Sequence, residues 1–165
     1  DGMAVLCFED PQRAQHWYAS QDIAAAFDDG FAELTDQKPV VLACEEHVIV
    51  DGPRPADAVK VTGLVRRKAG IDADTFYRSW LVDHAPNVSA TLKSTPGGLR
   101  YVVSHAMLDG PDPEYAGLAE VYYADADAAR AHMGKLGPDN FLKYAEPSGF
   151  LNGYEVDLVR MSSPQ

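Results

Sequence analysis

Phe76, Trp80, His84 and Val88 recur at intervals of four, so that two aromatic rings and an imidazole share one helical face, which its apolar character directs inward. A histidine on such a stripe is suited to general acid or base work if it lines a cavity, because burial and neighbours bring its pKa to the working pH. The plainer alternative is a core histidine satisfied by one backbone carbonyl. Tyr101 and His105 lie four apart in the run Leu99–Met107, and the two-residue period of a strand puts both on one side, where either can act as a hydrogen-bond donor. The competing role for Tyr101 is a core ring with its hydroxyl at the sheet edge. Glu120, between Ala119 and Val121, is a carboxylate in an otherwise apolar strand; it orients a histidine or faces solvent.

These groups need elements to hold them. Asp72 is an N-cap after the break at Gly70, Asp74 suits the first turn, and Pro86 marks the helix exit. Strands are expected at Gly2–Phe8, Val40–Val50, Val59–Val65, Leu99–Met107, Gly117–Tyr123 and Tyr154–Val159, with helices at Pro11–Phe27, after Asp72 and at Asp125–Met133. A Pro96-Gly97-Gly98 turn and the acidic loop Asp109–Glu114 separate strands, and Asp51-Gly52-Pro53-Arg54-Pro55 breaks the chain. The fold class is therefore α+β: residues 59–161 follow the ferredoxin-like order β-α-β-β-α-β, residues 53–58 are a linker, and residues 1–52 form a β-α-β half unit.

That half unit repeats the end of the complete one. Gly2, Ala4 and Asp10 match Gly117, Ala119 and Asp125 at one offset; after a short gap Asp29, Phe31 and Glu45 match Asp139, Phe141 and Glu155. The strands at Gly2–Phe8 and Val40–Val50 would flank a central strand that the sequence lacks. They are expected neither to pair with each other nor to share a sheet with Val59–Val65. An N-terminal half that preceded Asp1, or a partner chain, would fill the gap. The sheet face away from the helices is expected to be apolar and covered by a second sheet, giving an α/β barrel within the chain or through a homodimer.

Composition narrows the classes. Twenty-five acidic against fourteen basic residues give a net charge of -11 and argue against nucleic acid or an anionic membrane surface as partner. No run is long and apolar enough to span a bilayer, and no signal peptide is evident, which makes the cytoplasm the default location; for a chain opening Asp-Gly, the loss of something upstream is expected. Cys7 and Cys44 fit neither a CxxC site nor a disulfide framework and read as buried thiols.

From Val61 to Arg160 the chain resembles the EthD family of dimeric α/β-barrel proteins. Gly70-Ile71-Asp72, Phe76, Trp80 and His84-Ala85-Pro86 stand where that family has its first-helix motif, and Arg100-Tyr101 with His105 resembles its second strand. Asp1-Gly2-Met3-Ala4, Asp29, Phe31 and Glu45-Glu46-His47-Val48-Ile49 resemble the close of a preceding repeat. The resemblance implies small-molecule chemistry: members are associated with ether degradation and with polyketide and pigment pathways, where cofactor-free cyclisation, dehydration or decarboxylation is assigned.

A cofactor-free lyase or cyclase of aromatic or polyketide-like substrates needs an apolar slot, a base and a donor for a developing enolate. Phe76, Trp80 and Phe141 supply the wall, His84 the base, and Tyr101 or His105 the donor; Glu120 joins the candidate binding residues. The rival is a non-catalytic protein that holds an apolar metabolite, and a haem-degrading or quinol-forming monooxygenase comes third. His84 or His105 could ligate haem, but basic partners for its propionates are lacking. The five histidines show no HxxxH or HxH spacing, and there is no P-loop, GxGxxG or Gly-x-Ser-x-Gly motif, so no metal or cofactor is expected.

Overall fold

The computed structural model describes residues 3–18, 20, 25, 40–107 and 113–154, the side chains of Tyr18 and of residues 147–154 excepted. The chain divides into two compact units, residues 1–43 and 44–165. In the first, α1 (Pro11–Tyr18) opens on a proline that needs no N–H partner there, and Asp10 Oδ1 accepts from the Gln12 N–H at 2.8 Å. Residues 3–8 have no regular structure, and Met3, Val5, Leu6 and Phe8 are exposed. The expected strand at Gly2–Phe8 is thus corrected: a strand needs a ladder partner, and none of the described residues supplies one. Most of the helix expected beyond Tyr18 lies outside the described residues.

The second unit is a five-stranded antiparallel sheet made of β1 (Cys44–Val50), β2 (Val59–Arg67), β3 (Gly98–Ala106), β4 (Gly117–Tyr123) and β5 (Ala145–Tyr154), in the order β1-β3-β4-β2-β5. The four strands after β1 have the ferredoxin-like order. β1 shares this sheet, pairing Cys44 with Ala106 and Val48 with Val102, which corrects the expectation that it belongs to a separate one. Its partner β3 would otherwise be an edge with a row of unpaired backbone groups. β5 begins well before Tyr154, because the single 3-10 turn Phe141–Lys143 delivers the chain directly opposite Arg67.

Between β2 and β3 one continuous helical rod runs as α2 (Ala73–Arg78), a π-helical turn (Ser79–His84) and α3 (Ala85–Lys93). Asp72 caps it as expected, its side chain accepting from the Thr75 N–H at 2.8 Å. Pro86 does not end it, because it stands in the first turn of α3, where a missing N–H is tolerated once the preceding turn has widened. The Ala85 N–H reaches back five residues to the Trp80 carbonyl. The buried stripe therefore steps by five, from Phe76 and Trp80 to Ala85, then to Val88 and Leu92. α4 (Ala126–Lys135) is capped by Asp125, whose side chain accepts from the Ala128 N–H at 2.8 Å.

Tyr101, Val103, Val121, Tyr123 and Val65 form the core with Phe76, Trp80, Leu92 and Ala128. The pairing register puts Lys60, Thr62, Arg100, Val102, Ser104, Leu118 and Glu120 on the other face. That face is mixed, not the apolar surface expected, and Lys60 Nζ meets Glu120 Oε1 on it at 2.8 Å. Cys7 is exposed rather than buried, and the Cys44 thiol is pushed up to about 11 by burial and the nearby Glu120. Among the described residues no helix is long and apolar enough to cross a membrane.

Since the Asp125 carboxylate satisfies one of the orphan donors of α4, Asp125→Ala should lower unfolding free energy by about 1 kcal/mol in urea titrations, with little loss in Asp125→Asn.

Candidate functional site

The π turn decides where His84 goes. On an unbroken α-helix it would follow Trp80 into the core; with an extra residue in the turn Ala85 takes that place and His84 moves to the flank of the stripe. Its side chain is 20% exposed, and its ring stacks on Phe141 with centroids 4.5 Å apart. His84 Nδ1 lies 2.7 Å from Asp139 Oδ2.

Asp139 precedes the 3-10 turn and is held from three directions. Besides His84, the Asn87 Nδ2 donates to Oδ2 at 2.9 Å and the Phe141 N–H donates to Oδ1 at 2.9 Å. Asn87 also donates to the Gly137 carbonyl at 3.2 Å, tying the loop to α3. Burial acts to raise the Asp139 pKa, but the bonds from Asn87, His84 and Phe141 outweigh it and hold the carboxyl below the ordinary aspartate range. With the carboxylate ionised, a neutral His84 ring carries its proton on Nδ1 and keeps a lone pair on Nε2. No described residue hydrogen-bonds Nε2. The core histidine that the plainer alternative supposed does exist elsewhere: His132 is 1% exposed, with Nδ1 2.6 Å from the Tyr123 hydroxyl and Nε2 near the Val88 carbonyl.

Phe141 links this dyad to the aromatic core, with Trp80 and Phe76 at 5.2 and 5.7 Å. Trp80 and Tyr101 are fully buried. Burial pushes the Tyr101 hydroxyl pKa up, and the Asp139 charge adds to that push. His105 borders the indole from further along β3. Four residues along β3 separate it from Tyr101 by about 13 Å. Its ring stacks on Tyr77 at 4.3 Å and meets Trp80 at 5.2 Å and His47 at 4.8 Å.

The structure thus places Phe76, Trp80, His84, Tyr101 and Phe141 in one cluster, sets His105 at its far end, and puts Glu120 on the opposite sheet face with Lys60. Among the described residues no group of three His, Cys, Asp or Glu could hold a metal ion. A groove of about 300 Å³ lies against Asp74, Thr75, Arg78, Ser79, Asp83 and Tyr144, and His84 is not among its lining residues. Asp139 and Asn87 were missed as site residues. One signal for Asp139 was in the sequence: Asp139-x-Phe141 repeats Asp29-x-Phe31.

The EthD domain model matches residues 68–147, a span that opens just after β2 and closes in β5. That segment is similar to the EthD domain. Among curated proteins, none matches the chain. The matched span contains the whole π-interrupted helix, Tyr101, His105, Asp139 and Phe141, so the dyad lies within the EthD-like segment.

Burial, with the His47 charge adding to it, pushes His105 down to about 4, below the ordinary histidine value near 6.5. The unfolded chain then takes up a proton between those pH values while the folded chain does not. Stability from this group is complete above about pH 6.5 and is lost as pH falls toward 4. Urea unfolding at pH 7 and pH 5 should show that loss, and His105→Phe should make it smaller; an unchanged loss would assign it to other groups.

Proposed function

We propose that this protein is a cofactor-independent lyase or cyclase acting on an aromatic or polyketide-like substrate, with His84 as general base. The observation that carries the reading is the 2.7 Å contact of His84 Nδ1 with an Asp139 carboxylate that is itself fixed by Asn87 and the Phe141 N–H. A half-buried carboxylate is costly unless it is satisfied. Here the satisfying groups also fix the tautomer and orientation of an imidazole whose other nitrogen has no partner among the described residues. A ring that only filled space would not need that arrangement.

The chemistry follows from the geometry. His84 Nε2 accepts a proton from an acidic C–H or O–H of the substrate, the electron pair left behind passes to a carbonyl or phenol oxygen, and Asp139 stabilises the imidazolium. Return of the proton to a leaving hydroxyl completes a dehydration; attack of the enolate carbon on a second carbonyl, whose oxygen takes the proton back from His84, completes a ring closure. Phe141, stacked on His84, and the Phe76–Trp80 pair supply flat apolar surface suited to an aromatic substrate. No metal is needed for either outcome.

Deuterium exchange at the acidic carbon of benzoylacetone, followed by NMR, tests the base without knowledge of the natural substrate. His84→Ala should lower the enzyme-dependent rate by about 10²–10⁴-fold while largely keeping affinity for the diketone. Asp139→Asn should lower it too, because an amide no longer fixes the tautomer. If folded His84→Ala exchanges as fast as the parent, or if the parent binds the diketone without exchanging it, the protein is a carrier of apolar metabolites instead.

A further inference from the structure

The groove of about 300 Å³ lies between Asp74, Thr75, Arg78, Ser79 and Asp83 on the helical rod and Tyr144 just after the 3-10 turn. The rows that line it follow the widened turn. Asp74, Arg78 and Asp83 step by four and then by five, as the buried stripe does from Phe76 to Trp80 to Ala85, so the π turn keeps Asp83 in line with the other two charges. Thr75 and Ser79 begin a second row, and the same step of five brings that row to His84. The opposite wall leads to the same place: the Tyr144 N–H donates to the Phe141 carbonyl at 2.9 Å, and the Phe141 ring stacks on His84. The groove therefore stops one helical turn, about 5 Å, short of the imidazole.

Its charges are not spent on one another. Asp74 and Arg78 stand four apart, the spacing at which an acid and a base on a helix can meet, yet among the described residues neither they nor Asp83 form an ion pair. All three are exposed, and along the row the signs run negative, positive, negative. An anion drawn to Arg78 meets a carboxylate on either side, and a cation drawn to a carboxylate meets Arg78 one turn away. A neutral group rich in hydroxyls escapes both penalties, because it donates O–H to the carboxylates and accepts from the guanidinium N–H groups. The half-buried Tyr144 ring adds an apolar face for the C–H side of such a group, and the groove volume is at the small end of ligand sites.

We propose that this groove is a binding subsite for a neutral sugar ring carried by the aromatic substrate. Asp74 and Asp83 accept its hydroxyl protons, Arg78 donates to its oxygens, and the aromatic part of the same molecule reaches along the Thr75–Ser79 row to Phe141 and His84. The inference rests on the reading of His84 as base and adds to it the class of substrate, an aryl ketone or phenol bearing a sugar. Charge alternation is what makes the groove selective: a single sign would gather ions, whereas alternate signs one turn apart reward a partner with donors and acceptors and no net charge.

Affinities for 4-hydroxyacetophenone and for its β-glucoside and β-galactoside, measured by ligand-observed NMR titration, test the subsite. The parent protein should bind at least one glycoside about tenfold or more tighter than the aglycone, the gain expected from hydrogen bonds to charged groups. Arg78→Ala and Asp83→Ala, both at exposed positions, should each cut that ratio, and the double variant should bring it to about one while melting like the parent. The carboxymethyl and 2-aminoethyl ethers of 4-hydroxyacetophenone, which put an anion or a cation where the sugar would lie, should gain nothing over the aglycone. The ratio of affinities reads the groove and deuterium exchange reads the base, so a ratio that stands while His84→Ala exchanges like the parent keeps the subsite and refutes the base. A parent that binds neither glycoside more tightly than the aglycone, a ratio that survives in the double variant, or a preference for either charged ether overturns the sugar subsite.

Discussion

Pro86 has no N–H to give and sits inside a helical rod that runs from Ala73 to Lys93. In a regular α-helix its ring would clash with the carbonyl four residues back, and one backbone bond would be lost. The rod absorbs this by widening its middle turn, with the Ala85 N–H reaching Trp80. Widening adds one residue between successive core positions. Everything at the site follows from that step: Ala85 enters the core, and His84 turns to the flank, where Phe141 and Asp139 meet it.

The partner side is fixed by equally local means. After α4 the chain passes Gly137 and Asp139 before the 3-10 turn, and Asn87, one turn beyond His84, binds both the Gly137 carbonyl and the Asp139 carboxylate. Loop and helix are thereby clamped by the same side chain that satisfies the charge. The dyad sits at the seam between the core of Phe76, Trp80 and Tyr101 and the solvent, so that carboxylate and imidazole are both partly sheltered and both partly exposed. Shelter strengthens the interaction; partial exposure permits chemistry.

Much of the fold was legible because its signals are local. Asp72 and Asp125 both cap helices, the β3 and β4 runs lie within a residue of the strands observed, and the β-α-β-β-α-β order is written in alternating periods. What failed depends on long-range pairing. The Gly2–Phe8 run has the pattern of a strand but no partner among the described residues, and nothing local says that Cys44–Val50 completes the edge beside β3. At the site, a strict period of four put Phe76, Trp80 and His84 on one face, and the π turn that Pro86 accompanies moves His84 to the flank. Glu120 stands with Lys60 on the face away from the helices, because a strand has two faces and its sequence does not say which one meets them. Asp139 was hidden in a loop, where hydrophobic periodicity carries no information.

The central claim is that Asp139 fixes the His84 ring with its proton on Nδ1 and leaves Nε2 as the base. Nitrogen-15 NMR of the histidine rings, with His84 assigned by comparison with His84→Ala, reads this directly. The neutral ring is expected to show a protonated Nδ1 and an unprotonated Nε2, and Asp139→Asn is expected to lose that preference. A neutral His84 ring protonated on Nε2, unchanged by Asp139→Asn, would contradict the account.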